Sequence, residues 1–495
     1  MRKPSAPQAL LMLGLAGCAS APAYRESGVE VPPRFREAST DSTPSFPATP
    51  PAPVSDTGAR VVPSAAAAIV DQTTFWRALG DSTLARLIDE LLRANLDVQA
   101  AAARVRGARA ARRESAFDLA PTVTASGGYT RQRLSAATFP IGFGSFPDQD
   151  IWDAGFDASW ELDLFGRVRR GVQAQGALVG AASEGLRDVQ VTLTSELART
   201  YFELRGAQER LDVTRRNAEN QRRTLQVTQQ RLDAGRGTAF DTERAQAQLS
   251  FTLAAVPDLE ARVASAQYQI GVLVGRPPAS LAGELSKASA VPPLPAAVTV
   301  TSPDSLVRRR PDVSAAERQV AAERAFVGVA KADYLPRITV GGQAGYTAGA
   351  LNDLGGSGTF RYAVGPIISW PALNLGRVKA RVDESRARAS EAEAQYSQTV
   401  LQALQEVETG LVRFRTARAR VERIQDAASA SARAADLARL RFEGGVADFL
   451  QVLDAERTQL DAEDQLAQAH TDAATSYAAL YKALGGQLPA GEALR

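Results

Sequence analysis

Residues 159–167 read SWELDLFGR, and residues 369–377 read SWPALNLGR. The serine–tryptophan pair and the glycine–arginine pair therefore recur after 210 positions. The same offset relates further residues: Arg231 and Arg441, Gly235 and Gly445, and Gly275 and Gly485. A sustained offset of this kind is typical of a duplicated structural unit. We predict an internal tandem repeat, with one copy in residues 71–290 and the second in residues 291–495.

A long helix is predicted after each glycine–arginine pair. Residues 166–235 and 376–445 contain no proline, and apolar residues recur there at a spacing of seven. Such spacing is typical of helices that supercoil around neighbouring helices. We expect each helix to end at a glycine and a second helix to run back, over residues 241–274 in the first copy and 448–484 in the second. By itself this pattern also fits a soluble antiparallel coiled coil.

The N-terminus has the layout of a bacterial export signal. A basic pair precedes a short apolar stretch, residues 10–16, which is too short to span a bilayer. Cys18, the single cysteine of the chain, follows at the cleavage position in a sequence that resembles the lipobox. We predict a lipoprotein signal peptide in residues 1–17, lipid attachment at Cys18, and an acylated Pro/Ser-rich tether over residues 18–70.

Four segments between the helices alternate apolar and polar residues, a pattern that predicts strands. They are residues 122–131, 151–164, 338–347 and 359–370. Each has about ten residues, the length of a tilted membrane-spanning strand (~9–11). The polar face of the second segment carries Asp153, Asp157 and Glu161, which we expect to face water in a channel lumen.

Four strands are too few for a closed membrane barrel, for which about eight is the minimum. An open sheet edge in lipid leaves backbone groups unpaired, so we expect several chains to pool their strands. Two chains would supply eight strands and three would supply twelve, and the pattern alone fits both. A half-buried sheet on a soluble core would show the same alternation, but the export signal and the acids of the polar face argue against it.

The composition argues against several other classes of protein. The chain of 495 residues has a net charge of +2 and so lacks the electrostatic footprint of a nucleic-acid partner. One cysteine and one histidine, His470, cannot form a disulfide framework or a zinc site. Asp153 and Asp157 have no base partner in the pattern, so neither an enzymatic activity nor a cofactor is predicted.

Taken together, these segments resemble the outer-membrane efflux proteins, the TolC-like channels, and within them the lipoprotein branch of OprM and NodT. Residues 160–167 (WELDLFGR) and 309–313 (RRPDV) match motifs specific to that family, and residues 370–377 (WPALNLGR) are a looser match. The resemblance extends over nearly the whole chain from Phe75 onward.

The resemblance implies an α+β membrane protein. The assembly would be a homotrimer with a twelve-stranded β-barrel in the outer membrane, four strands per chain, and a long α-helical barrel in the periplasm. It would be a passive duct for drugs or small amphiphiles, working with a periplasmic adaptor and an inner-membrane pump, commonly of the resistance-nodulation-division class. A duct for type I protein secretion uses the same fold. A periplasmic coiled-coil scaffold lipoprotein is the alternative from a different class.

The resemblance also implies a gate where the returning helices begin. Family members narrow this mouth with acidic side chains, which points to Asp241 and Asp454, while Gln451 replaces one family acid. Phe442 stands where relatives have a tyrosine, so closure is expected to depend more on packing of Phe442 against Phe449. Both acids also fit ordinary helix starts, which the helix dipole stabilises by ~0.3–1 kcal/mol. The hairpin tips expected to meet the adaptor are Gly235, Arg236, Gly445 and Val446.

Overall fold

The computed structural model describes residues 31–36, 75–134, 147–295, 298 and 302–486. The predicted signal peptide and lipid-attachment residue Cys18 lie outside the described residues. The same is true of the predicted tether, apart from residues 31–36.

Helices account for most of the described chain, and one sheet contains its four strands. The helices are α1 (Ser82–Ala94), α2 (Leu96–Phe117), α3 (Arg167–Asp233), α4 (Ala239–Ala254), α5 (Val256–Leu273), α6 (Ala282–Leu285), α7 (Pro303–Arg309), α8 (Pro311–Ala332), α9 (Leu375–Glu443) and α10 (Phe449–Ala483). The strands are β1 (Thr122–Gln132), β2 (Gln149–Leu162), β3 (Arg337–Ala348) and β4 (Phe360–Ser369). The predicted α+β composition, with four strands per chain, is confirmed. In the described part of the chain, every helix is too short or too polar to cross a bilayer.

Internal contacts divide the chain into two units. The strand unit contains the described parts of residues 104–183 and 315–398. The helical unit contains the described parts of residues 29–103, 184–314 and 399–495. The helices α3 and α9 each contribute residues to both units.

The strands of the strand unit form one antiparallel sheet in chain order. Its register places the apolar side chains on one face, where Phe156 stands opposite Ala125 of β1 and Ala344 of β3. Much of this face is exposed in the single chain: Val123, Phe156, Phe360, Tyr362, Val364 and Ile368. An exposed apolar face of this size indicates contact with lipid or with another protein surface.

The strand β2 differs most from its predicted bounds, by two residues at each end. The prediction extended it to Leu164, but it ends at Leu162. Asp163 instead caps α3, because its carboxylate accepts the backbone N–H of Val168 at 3.1 Å and that of Arg169 at 2.9 Å. Partial burial raises the pKa of Asp163. The two backbone hydrogen bonds and the Arg169 guanidinium lower this pKa by more, so its net value lies below that of an ordinary aspartate.

The first returning helix is interrupted, so the prediction of one helix over residues 241–274 is wrong. The helix α4 ends at Ala254, and α5 begins at Val256. Pro257 lies in the first turn of α5 and has no backbone N–H to donate to the preceding turn. The second returning helix contains no proline and is continuous as α10.

Aromatic side chains dominate the core of the helical unit. Trp76, Tyr201, Phe202 and Tyr481 are fully buried there. The hydroxyl of Tyr201 donates to the Asp81 carboxylate at 2.6 Å, and Asp81 also caps the N-terminus of α1. The buried apolar face of the amphipathic helix α1 is thereby fixed against the long helix α3.

Candidate gate at the hairpin tips

Each long helix ends in the same glycine turn. Gly235 follows α3 with a φ of +68°, and Gly445 follows α9 with a φ of +74°. The next backbone N–H closes the turn on the carbonyl five residues earlier, at 2.8 Å for Arg236 and 2.9 Å for Val446. This left-handed conformation favours glycine and ends a helix abruptly. The predicted tip residues Arg236 and Val446 are both exposed, Val446 at 70%.

Asp241 is held by the N-terminal cap of α4. The hydroxyl oxygen of Thr238 accepts the Asp241 backbone N–H at 3.2 Å, and the hydroxyl donates to the Asp241 carboxylate at 2.7 Å. Hydrogen bonds of this type stabilise the first turn of a helix. The contacts of Asp241 are therefore those of an acidic helix start, the alternative that the sequence left open.

Gln451 and Asp454 line a groove of about 630 Å³ between α4 and the start of α10. The Asp454 side chain is 74% exposed, and its carboxylate lies 3.7 Å from the Arg457 guanidinium. Arg244 also lines the groove, so it contains two arginines that the prediction of an acidic mouth did not include. The groove lining does not include Asp241. Of the three predicted polar gate residues, Gln451 and Asp454 therefore lie together in one groove, and Asp241 lies outside it.

Phe442 belongs to a small apolar cluster at the end of α9. Its side chain is 7% exposed, and its ring centroid is 5.7 Å from that of Phe449. Val452 of α10 and Ala245 of α4 are buried in the same cluster. Phe442 thus packs against Phe449, and Ala245 connects the first hairpin to the same cluster.

Arg231, which the sequence marks only as a repeat position, reaches the second hairpin. Its Nη2 donates to the carbonyl oxygen of Phe442 at 2.7 Å, and its Cζ lies 4.1 Å from the centroid of the Phe442 ring. Arg441, its repeat counterpart, makes no side-chain hydrogen bond or ion pair within the described residues. The sequence could not indicate this asymmetry, because both arginines stand four residues before a turn glycine.

A buried carboxylate joins three helices behind the apolar cluster. Glu456 of α10 is 2% exposed and accepts hydrogen bonds from the hydroxyl of Thr224 at 2.7 Å and from Nε of Arg439 at 2.9 Å. These partners belong to α3 and α9. The repeat gives no sign of the site, because the counterpart of Glu456 is the neutral and exposed Gln246.

The three acids of β2 share one face of the sheet, as the alternation predicted, but two of them are paired with arginines. Asp153 accepts a hydrogen bond from Arg361 at 3.3 Å, and Glu161 accepts one from Nε of Arg167 at 2.8 Å. Asp157 has no ion pair within the described residues. The net negative charge of this face is therefore smaller than the prediction implied.

Long antiparallel helical hairpins joined to a four-stranded antiparallel sheet define the TolC-like class of channel proteins. The chain belongs to the outer membrane efflux protein family, whose profile matches residues 87–276 and 303–486. The resemblance inferred from the WELDLFGR and RRPDV motifs is thus confirmed.

Individual relatives give the same result. The chain is 27% identical over 476 residues to nodulation protein T of Rhizobium leguminosarum bv. trifolii, with 95% of each chain covered. It is 28% identical over 505 aligned positions to outer membrane protein OprJ of Pseudomonas aeruginosa, which covers 100% of this chain and 98% of OprJ. Among solved structures, the outer-membrane channel OprN matches with a TM-score of 0.79 and 38% identity, covering 88% of this chain and 98% of OprN.

Proposed function

We propose that this chain is the outer-membrane component of a tripartite efflux system, a passive duct through which drugs or other small amphiphiles leave the cell. The observation that carries the proposal is the match to the outer-membrane channel OprN over nearly all of that channel's length. An inner-membrane pump of the resistance-nodulation-division class would supply the energy, so the duct itself needs no reacting group.

We infer a homotrimer, because the open sheet needs strands from other copies and the family resemblance implies three of them. β1 and β4 are edge strands with one unpaired side each, and lipid offers no partners for their backbone groups. Three copies would supply twelve strands and close a barrel. The exposed apolar face, with Phe156, would then meet lipid in the outer membrane, and the face with Asp153, Asp157 and Glu161 would line the lumen.

Exposed apolar side chains on the helices support the same assembly. Phe251 of α4 is 77% exposed, and Leu437 and Leu440 of α9 are also largely exposed. Contacts with the helices of neighbouring copies would cover these side chains. The result would be a long helical barrel in the periplasm.

The glycine turns would form the end of this barrel that meets the periplasmic adaptor. Gly235, Arg236, Gly445 and Val446 are the surface offered to it. Behind them, three copies of Asp454 would gather about the channel axis with Gln451 and attract cations, while Arg457 moderates their charge. Asp241 would contribute to this gate through its place in the first turn of α4.

Single-channel recording in planar bilayers tests the gate. Asp454→Asn is expected to weaken cation preference and block by divalent cations without changing trimer stability. The matched variant Asp241→Asn, at an acid that its own helix cap already holds, should change selectivity less. Unaltered selectivity and block in Asp454→Asn would contradict a role for Asp454 in the mouth.

Lipid attachment at Cys18 would anchor the N-terminus in the outer membrane. A multiply acylated cysteine binds membranes stably, because each buried CH₂ contributes ~0.8 kcal/mol. Cys18→Ser should abolish acylation, which mass spectrometry of the mature protein would detect. Unmodified Cys18 in mature wild-type protein would contradict the proposal.

The efflux role itself is tested in cells that lack their own outer-membrane duct. Expression of this chain together with its pump and adaptor should restore resistance to amphiphilic drugs. Restored secretion of a protein substrate without drug resistance would indicate a type I secretion duct instead. A purified protein that forms no oligomer and conducts no ions would indicate a periplasmic scaffold lipoprotein.

A further inference from the structure

Four arginines of α2 line an open groove beside α3 in the strand unit. The groove has a volume of about 600 Å³, and its lining consists of Arg106, Arg109, Arg112, Arg113, Ala116, Val172 and Val179. All four arginines are exposed, and within the described residues none of them makes a side-chain hydrogen bond or an ion pair. This arginine groove therefore combines four positive charges that have no carboxylate partner with apolar side chains from α3.

The missing partners set these arginines apart from many others on the long helices. Arg216 and Arg222 of α3, for example, are also exposed, but they pair with Asp212 and Glu219. The sequence from residue 104 to residue 117 contains one acid, Glu114, which does not line the groove. The groove is thus a local excess of positive charge, which attracts anions.

The tandem repeat provides an internal comparison. The helices α2 and α8 both have 22 residues, and their first residues lie 215 positions apart, Leu96 in α2 and Pro311 in α8. At this offset the counterparts of three groove arginines are neutral, and that of Arg109 is Arg324, which pairs with Glu393 at 2.8 Å. Helix formation at this place in the repeat therefore does not require the unpaired arginines, which indicates a role specific to the first copy.

The arginine groove is continuous with the exposed apolar face of the sheet. Phe117 follows Arg113 by four positions, so it lies on the same face of α2, and it is 76% exposed. The carbonyl of Leu119 then accepts the indole N–H of Trp160 at 3.0 Å. Trp160 and Phe156 share the apolar face of β2, because they are four residues apart on one strand. An apolar path thus leads from the sheet to the arginines.

We propose that the arginine groove binds the phosphate headgroup of an anionic phospholipid, with the acyl chains directed past Phe117 toward the apolar face of the sheet. Guanidinium groups bind phosphate through paired N–H donors, and basic pockets beside membranes are known to hold anionic headgroups. The proposal rests on the proposed outer-membrane duct, since that function places the sheet in lipid and the helices in the periplasm. The ligand would come from the periplasmic leaflet.

The observations favour a lipid over a second copy of the chain in this groove. A second copy would have to offer acids without partners of their own. The four acids that α9 contributes to the strand unit each have a partner within the chain. They are Asp383, Glu384, Glu391 and Glu393, which contact Arg386, Arg388, Gln395 and Arg324. A lipid phosphate can bind without displacing any of these contacts.

Native mass spectrometry of the full-length protein measures the lipid that it retains from detergent solution. The probes are palmitoyl-oleoyl phosphatidylglycerol, which is anionic, and the zwitterionic palmitoyl-oleoyl phosphatidylethanolamine. The wild-type protein should retain the anionic lipid preferentially. Arg109→Gln/Arg113→Gln should weaken its binding roughly 25-fold, because each arginine near an anionic lipid contributes roughly fivefold. Arg216→Gln/Arg222→Gln removes two exposed but paired arginines and is the matched control, which should bind as the wild-type protein does.

Four other results would decide against the site or separate it from the duct function. Equal retention of the two lipids by the wild-type protein, or equal losses in the groove and control variants, would overturn the proposal. Displacement of the anionic lipid by inorganic phosphate at the same concentration would indicate a site for free phosphate and overturn a lipid site. Loss of the oligomer with unchanged lipid retention in the groove variant would assign the groove to a second copy. Selective, arginine-dependent lipid binding by a protein that conducts no ions in planar bilayers would support the lipid site and contradict the duct function.

Discussion

The indole of Trp160 in the first half of the chain and that of Trp370 in the second make the same contact. Each indole N–H donates at 3.0 Å to a backbone carbonyl two residues beyond the end of a helix, that of Leu119 and that of Tyr334. The turn glycines repeat in the same way, with positive φ values at Gly235, Gly445, Gly275 and Gly485. The backbone conformation of the two halves is thus closely matched at these positions.

The side chains that secure this backbone differ between the halves. Asn95 donates from its amide to the Leu273 carbonyl at 2.8 Å, and Arg310 donates to the Ala483 carbonyl, at the equivalent place, at 2.6 Å. Asn95 also caps α2 through its side-chain oxygen, which arginine cannot do because it has no acceptor. The comparison indicates that the second half secures the same contact with a charged group.

The difference between the two halves predicts the largest loss of stability on substitution of Arg310. Its side chain is nearly buried and forms ion pairs with Asp312 and Glu406, each at 2.7 Å. Arg310→Ala should lower the free energy of unfolding by ~1.5–3 kcal/mol, because the buried guanidinium loses its hydrogen bond to Ala483 and its ion pairs with two partly exposed carboxylates. Asn95→Ala, which removes only neutral hydrogen bonds and a cap, should lower it by ~0.5–2 kcal/mol. Denaturant unfolding in detergent, followed by helical circular dichroism, measures both, and equal losses would contradict the assigned difference.

The next effect is expected at Glu456. Removal of this carboxylate leaves the Thr224 hydroxyl and Nε of Arg439 without their acceptor, so Glu456→Ala should cost about 1–3 kcal/mol of stability. At the equivalent position of the first half, Gln246 is exposed, and Gln246→Ala should be nearly neutral. The same unfolding experiment compares the two variants. A loss in Gln246→Ala as large as that in Glu456→Ala would show that the position matters rather than the buried carboxylate.

Much of the fold followed from local sequence patterns. Proline-free stretches predicted the long helices, and alternation placed Phe156 and Asp157 on opposite faces of β2. The patterns gave wrong boundaries where a single residue ends a helix or strand within an otherwise regular apolar spacing. Pro257 interrupts the first returning helix, and Asp163 ends β2 because it caps the next helix.

The candidate gate was predictable only in part, for a different physical reason. The family resemblance placed Phe442 and Asp454 at the candidate gate, and their distance from Gly445 placed them near the second hairpin tip. It could not show which arginine crosses between the hairpins, because that depends on the packing of helices far apart in the sequence. Arg231 and Arg441 have the same local setting, and only the tertiary structure distinguishes them.

Substitution of Trp160 or Trp370 is expected to cause a smaller loss of stability, and the loss should be the same in both halves. Trp160→Phe and Trp370→Phe each remove one indole hydrogen bond to a helix end, so each should lower stability by about 0.5–1.5 kcal/mol. The midpoint of thermal unfolding in detergent would record both changes. Nearly equal shifts are expected from the matched geometry. A large shift in one variant alone would show that the halves differ in the strand unit as well as in the helical unit.

The smallest effect is expected at Asp188 of α3, where substitution should raise stability instead of lowering it. Burial raises the pKa of Asp188, and the nearby Asp312 carboxylate raises it further, against the opposing influence of Lys482 and Arg310. The folded chain therefore binds this proton more tightly than the unfolded chain does. Stability consequently falls as pH rises from the ordinary aspartate pKa through the raised value, and is constant above it.

Asp188→Asn removes this penalty without a change of shape. The variant should therefore have a higher thermal midpoint than the wild-type protein at pH 7, and the gain should shrink as the pH falls below the ordinary aspartate pKa of about 3.9, where the carboxyl is protonated in both the folded and the unfolded chain. Asp426→Asn, at an exposed acid of α9, is the matched control and should show no such pH-dependent gain. A lower midpoint for Asp188→Asn at pH 7 would mean that the ionised carboxylate stabilises the Arg310 network, which would place Asp188 among the partners of that arginine.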